Sequence, residues 1–157
     1  MKYESKQSKR HKVRIGVFII LENNNKIFLI KRTNTSFEDG SYFFPSGHLD
    51  EKETIEEAVV RECKEEIGVI PKKIKLVHVM HGISSLNEKE YIDLFFYSNL
   101  WEGNPKNNEP KKSTEANWFE INWNNLDSLP SPFPDFIKFA LNKIKENISY
   151  SDYGWNK

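Results

Sequence analysis

Alternating and β-branched apolar runs dominate the chain. VRIGVFIILE (13–22) and NNNKIFLIKR (23–32) are two such runs joined by an asparagine-rich turn, the pattern of a β-hairpin. TNTSFEDGSY (33–42) reads as a loop, and FFPSG (43–47) as a short strand stopped at Pro45. KIKLVHVMHGI (73–83), EYIDLFFYSNLW (90–101) and EANWFEI (115–121) predict three more strands. Between them EGNPKNNEPKKST (102–114) is too polar and proline-punctuated for a core and reads as a surface loop. A helix over 134–147 carries Phe136, Ile137, Ala140, Leu141 and Ile144 on one side, suited to covering a sheet. A strand-rich body with one interior and one terminal helix predicts an α/β layered fold. One domain spans 1–157, with 1–9 and 148–157 as flexible or accessory termini; the aromatic, polar tail ISYSDYGWNK is compatible with disorder, packing or an interface.

The interior helix, ETIEEAVVRECKEEIG (53–68), ends at Gly68, which suits the left-handed residue after a helix terminus. On a wheel with Ile55 at zero, Ile55, Val59, Cys63 and Ile67 fall at roughly 0°, 40°, 80° and 120°, one apolar stripe. Cys63 belongs to that stripe and reads as a packed thiol rather than a nucleophile. Glu62 and Glu66 fall at roughly 340° and 20°, inside or beside the same stripe, whereas Glu56, Glu57 and Lys64 point away.

Charge changes this picture locally. The 23 basic and 23 acidic residues cancel, which argues against a nucleic-acid polymer or a membrane surface as partner. No run approaches the roughly 20 apolar residues of a membrane span. The single cysteine excludes an internal disulfide framework and suits a reducing, cytoplasmic location. From Gly47 to Val69, however, eight acidic side chains face three basic ones. Carboxylates at the border of a buried face cost desolvation energy unless a counter-charge meets them. Glu62, Glu65 and Glu66, spaced i, i+3 and i+4, can converge, and Arg61 alone cannot serve all three. A hard divalent cation fits, Mg²⁺ best, because it works with a few carboxylates plus waters and phosphate oxygens.

GHLDEKETIEEAVVRECKEEIGV (47–69) resembles the Nudix box, G-x5-E-x7-R-E-U-x-E-E-x-G-U, with U a bulky aliphatic residue. Gly47, Glu53, Arg61, Glu62, Glu65, Glu66, Gly68 and Val69 fall in register; Cys63 departs from a U position, and Lys52 stands where the family often has glycine. WEGNPKNNE (101–109) is similar to the loop by which MutT-type members bring in a further acidic residue, here Glu109. The resemblance covers nearly all of 10–147 and implies the Nudix α/β/α sandwich with a mixed β-sheet. It also implies hydrolysis of a nucleoside diphosphate linked to another group, by water attack on phosphorus with Mg²⁺ or Mn²⁺. Glu62, Glu66 and the Ser46 carbonyl would hold metal, and Glu65 would ligate or orient water. Glu62 is also a possible base. Arg61 would fix the carboxylates with Glu53 as its partner, and Glu109 would be ligand, base or plain loop charge.

The MutT-type likeness implies a small nucleotide as partner, with a nucleoside triphosphate cleaved to monophosphate and pyrophosphate. The alternative is a nucleotide sugar or ADP-ribose, and a non-catalytic nucleotide-binding module is a third reading. Phe133 occupies the place of the MutT-type base-reading asparagine, so stacking rather than paired hydrogen bonds is expected there. Phe37, Tyr42, Phe43, Trp101 and Trp118 are further aromatics available to a base or to the core. A homodimer is compatible with all of this.

Overall fold

The structure, a computed structural model, describes residues 11–84 and 88–155. Strand β1 (Arg14–Asn23) is buried without a break from Gly16 to Leu21. A strand apolar on both faces needs both faces covered, and such strands favour parallel neighbours. β1 pairs in parallel with β7 (Glu90–Ser98) from Arg14↔Tyr91 to Leu21↔Ser98. Its other edge is shared. Gly16–Phe18 pair with β4 (Ser46–His48), and the far end forms the predicted hairpin with β2 (Lys26–Arg32). Asn24 and Asn25 take φ of 51° and 58°, the left-handed pair that a tight hairpin turn demands and asparagine tolerates.

The sheet runs β10-β6-β7-β1-β2-β3, with β4 on β1 and β9 on β2; β3 is Tyr42–Phe43, β6 Lys75–Ile83, β9 Ser113–Glu120 and β10 Tyr150–Tyr153. It is mixed, because β1 with β7 and β6 with β10 are parallel and the other pairs antiparallel. Helix α1 (Ile55–Ile67) covers the face onto which Gly47 and Val17 point, since a Cβ at Gly47 would strike the Glu62 carboxylate. Helix α2 (Asp135–Lys145) covers the opposite face, with Phe136 against Phe18 and Phe139 against Tyr153. Side chains alternate along β1, so Gly16 and Phe18 look toward α2 while Val17 looks toward α1. The result is the expected α/β/α sandwich. A separate two-stranded ribbon pairs Ile70–Lys72 (β5) with Leu100–Glu102 (β8).

Two expectations change, and a third, left open, is narrowed. The predicted strand 43–47 is two short strands, because Pro45 lacks the N–H a continuous ladder needs and instead accepts from Ile19 through its carbonyl. Ile55 is 37% exposed. Its angle on the wheel is right, but it opens the helix, and burial begins at Ala58, one turn in. Of the readings left open for the tail, the structure shows packing, since residues 150–153 form an edge strand on β6. His78, itself 1% exposed, holds that strand through Nδ1 to the Ile148 carbonyl and Nε2 to Ser151 Oγ, both at 2.8 Å. Residues 1–9 lie outside the described residues.

Candidate active site

The caps of α1 set its rotation. Glu57 N–H donates to Thr54 Oγ1 while Thr54 N–H donates to the Glu57 carboxylate, a capping box. Gly68 closes the other end at φ 73°, a conformation that would strain a side chain. Val59, Cys63 and Ile67 then face the sheet and bring Glu62 and Glu66 to the edge of the core. Carboxylates in the last turns oppose the helix dipole, whose C-terminal end is negative, so their position there costs energy.

β4 supplies the facing groups. Pro45 and Leu49 bond to β1 through Ile19 and Ile15, so the alternation of an antiparallel ladder turns the backbone groups of Ser46 and His48 away from β1, toward α1. Ser46 N–H donates to Glu66 at 2.8 Å, and the His48 carbonyl accepts from Arg61 Nη2 at 2.9 Å. Gly47 lies directly over Glu62 and leaves its carboxylate room.

Arg61 ties the cluster together. Its Nε and Nη2 bind Glu53 at 3.0 and 2.7 Å, and its Nη1 binds Glu62 at 2.6 Å. This fork pushes the Glu53 carboxyl below the usual range and raises Arg61 further. Glu62 is nevertheless raised, because burial outweighs Arg61. Burial likewise pushes Glu66 up to about 8, with the charges of Glu62 and Glu109 adding to it. Glu65 does not converge with the other two: its side chain is 55% exposed and touches Arg61 only at 3.7 Å, because its wheel position lies off the buried stripe.

Glu109 arrives from the loop after β8. Lys106 N–H and Asn108 N–H donate to the Ile67 and Glu66 carbonyls, and Asn108 Nδ2 donates to the Lys64 carbonyl. The loop thus satisfies the open carbonyls at the end of α1 and brings Glu109 into the electrostatic field of Glu62 and Glu66. Lys112 binds Glu109 at 2.7 Å, and its own charge is favoured by Glu66 and Glu62. Sequence reasoning missed Lys112; its spacing of three residues from Glu109 was the available signal. It also missed Arg32, which lies over the Phe43 ring at 4.8 Å and acts on Glu66 from a distance.

Phe133, expected to stack on a base, is 8% exposed and meets Phe44 edge to face, so most of its ring packs against the core. An aromatic residue just before α2 gains more from burial than from solvent, and the fold places it inward. Of the other aromatics, Phe37 is 40% exposed and leans on Phe43 and Phe136, whereas Trp101 and Trp118 pack on each other.

Among the described residues, no three His, Cys, Asp or Glu side chains form a complete metal cage. Mg²⁺ does not need one, since it keeps waters and takes one or two carboxylates. Glu66 receives one backbone N–H and no direct cation, Arg61 is shared among Glu53, Glu62 and Glu65, and Lys112 is taken by Glu109. This hard-oxygen set, short of positive charge, fits such an ion.

The NUDIX domain family matches residues 10–138. The chain belongs to the NUDIX family. It is 39% identical over 124 residues to an ADP-ribose pyrophosphatase of Methanocaldococcus jannaschii, covering 79% of this chain and 70% of that one. It is 30% identical over 119 residues to the 8-oxo-dGTP diphosphatase of Escherichia coli, covering 76% and 88%. The solved MutT NUDIX hydrolase of Burkholderia pseudomallei superposes with a TM-score of 0.75 at 29% identity, covering 84% of this chain and 98% of that one. This NUDIX chain is therefore of the MutT type, a hydrolase of pyrophosphate bonds. No helix among the described residues is long and apolar enough to cross a membrane.

Proposed function

We propose that this NUDIX chain hydrolyses a nucleoside triphosphate to the monophosphate and pyrophosphate, with Mg²⁺ or Mn²⁺. The observation that carries the reading is the Glu62 and Glu66 pair, both raised by burial, with Glu66 accepting from the Ser46 N–H and Glu62 seated under Gly47. Glu62, Glu66 and the Ser46 carbonyl would hold the ion, with Glu109 joining from its loop. When bound, the ion neutralises phosphate charge and makes water a competent nucleophile near neutral pH. Glu62 holds or takes a proton at its carboxylate while Arg61, braced by Glu53, fixes its orientation. Glu65, on the exposed flank, orients water at the mouth of the site. Lys112 adds a cation beside the cluster for a polyphosphate chain.

A second reading is favoured by the 39% identity to the archaeal ADP-ribose pyrophosphatase. The carboxylate site would serve a diphosphate linking two groups equally well.

One experiment separates the two. The protein is assayed with Mg²⁺ against the common ribo- and deoxyribonucleoside triphosphates, 8-oxo-dGTP and ADP-ribose, and products are resolved by ion-exchange chromatography. Pyrophosphate and a monophosphate from a triphosphate, lost on chelation, are expected. AMP plus ribose phosphate from ADP-ribose, with intact triphosphates, would select the second reading. Undiminished turnover in excess EDTA would sink both.

A further inference from the structure

Asp93, in the middle of β7, is 9% exposed, and burial alone raises its carboxyl to about 7. No hydrogen-bond donor or cation meets it among the described residues. Every fully enclosed side-chain polar atom of the described residues has a partner, so an unpartnered carboxyl must still reach solvent. Asp93 therefore lies at the bottom of an opening rather than sealed in the core.

Strand register shows where that opening lies. His48, Gly16 and Asp93 stand side by side on β4, β1 and β7, so their side-chain positions share the α2 face. Gly16 cedes its place to the carboxyl, since a Cβ there would come within 2.5 Å of Asp93 Oδ1. One position along, Gly82 of β6 pairs with Tyr91 and lies diagonal to Asp93 on the same face. A Cβ at Gly82 would meet only the Tyr153 carbonyl oxygen, at 3.9 Å. Met80, in register with Asp93 and 1% exposed, fills the β6 position directly beside the carboxyl, so the open space lies diagonally from it, over Gly82. Tyr153, in register with Gly82, and Phe139 of α2, 5.1 Å from it, stand beside that space, while Phe18 stacked on Phe95 closes the face in the other direction. Asp93 and the carboxylates stand on opposite faces of the sheet, but β4, paired only with β1 among the described strands and touching Glu66 through Ser46, is two strand spacings, about 10 Å, from β7, so a nucleotide with its phosphates at the carboxylates reaches Asp93 around the β4 edge.

An unpaired buried carboxyl destabilises the fold, and a glycine beside it on β1 with another diagonal to it on β6 leaves a hollow that larger residues would fill. Aromatic walls with one hydrogen-bonding group at the floor suit a planar base with a polar edge. We propose that Asp93 selects the nucleobase, its carboxyl accepting a hydrogen bond from the exocyclic amino group of a purine that lies against Tyr153 and Phe139. The inference rests on the nucleotide reading of the active site. Adenine and guanine share that amino chemistry, and the test distinguishes them.

Binding of nucleoside monophosphates to the full chain in Mg²⁺ is measured by equilibrium dialysis. AMP is compared with purine riboside monophosphate, and GMP with IMP, each pair differing only by the amino group. In at least one pair the amino-bearing member should bind about 10- to 100-fold tighter. Asp93→Leu should bring that pair within about threefold, with a thermal midpoint at or above that of the unaltered protein, because the leucine removes an unpaired buried carboxyl. Asp93→Val serves the same comparison if the leucine variant does not fold. Failure to discriminate either pair, discrimination that survives the substitution, or a midpoint several degrees lower overturns the proposal. Because binding is read without turnover, Asp93-dependent discrimination in a protein that cleaves no nucleotide would retire the hydrolase reading and keep this one. Turnover without discrimination would do the reverse.

Discussion

Arg61 grips Glu53 through two nitrogens, at 3.0 and 2.7 Å, across the loop that leads into α1. The same guanidinium reaches Glu62 and the His48 carbonyl, so one side chain sets the distance between β4 and the functional face of the helix. Lysine keeps the charge but not the fork. Arg61→Lys should lower kcat/KM by about 10- to 100-fold, the usual cost of loosening a residue that orients metal ligands, with an unchanged circular dichroism spectrum. A loss under about threefold would mean that the fork has no part in positioning Glu62.

Glu62→Gln keeps shape and removes charge. It should reduce kcat at least about 100-fold in a folded protein. Glu56, on the exposed side of the same helix, is the control, and Glu56→Gln should stay within about twofold of the parent. Equal losses at both positions would contradict the faces assigned to α1.

Gly47→Ala tests the closeness of β4 to α1. The added methyl would strike the Glu62 carboxylate, the far end of a flexible side chain, and would displace it from its seat beside Arg61. A small loss of stability, about 1 kcal/mol or less, is expected, with a loss of activity larger than unfolding accounts for. An alanine variant with full activity would show that Glu62 is not seated under β4.

Cys63 is fully buried on the apolar stripe, and burial pushes its thiol well above the ordinary range. Cys63→Val should keep activity within about threefold. The native thiol should resist alkylation until the protein unfolds. Rapid labelling of the folded protein would contradict this placement.

His78 makes the edge strand pH-sensitive. Burial lowers its pKa below the ordinary 6.5, so on acidification the unfolded chain takes up the proton first. The stabilisation is complete above about pH 6.5 and is lost as pH falls through the lower folded value. The difference in thermal midpoint between the parent and His78→Gln should therefore shrink from pH 8 to pH 5. A difference that stays constant across that range would remove His78 from this role.

The carboxylate helix was legible in the chain because its determinants are local. Capping, stripe and the i, i+3 and i+4 spacings depend on neighbours within two turns, and the short-range geometry of a helix is nearly invariant. The hairpin was legible for the same reason, two asparagines supplying the turn that a two-residue connection requires. The α/β class followed from a strand-rich body with one interior and one terminal helix.

What the tertiary structure decided is where distant segments meet. Glu65 is turned outward although its spacing matches that of its neighbours, because the buried side of α1 is defined by the sheet it rests on. Glu109 reaches Glu62 and Glu66 only because residues 106–108 find unpaired carbonyls at the end of α1, more than 35 positions earlier in the chain. Phe133 goes inward to Phe44, and the polar tail becomes a strand because a buried histidine on β6 offers it two hydrogen bonds. Asp93 looks from its sequence like a polar residue interrupting an apolar strand; only the glycines on neighbouring strands give it a hollow to face. Periodicity encodes contacts within a turn or a ladder, whereas these placements depend on the free energy of whole surfaces brought together, which no local pattern carries.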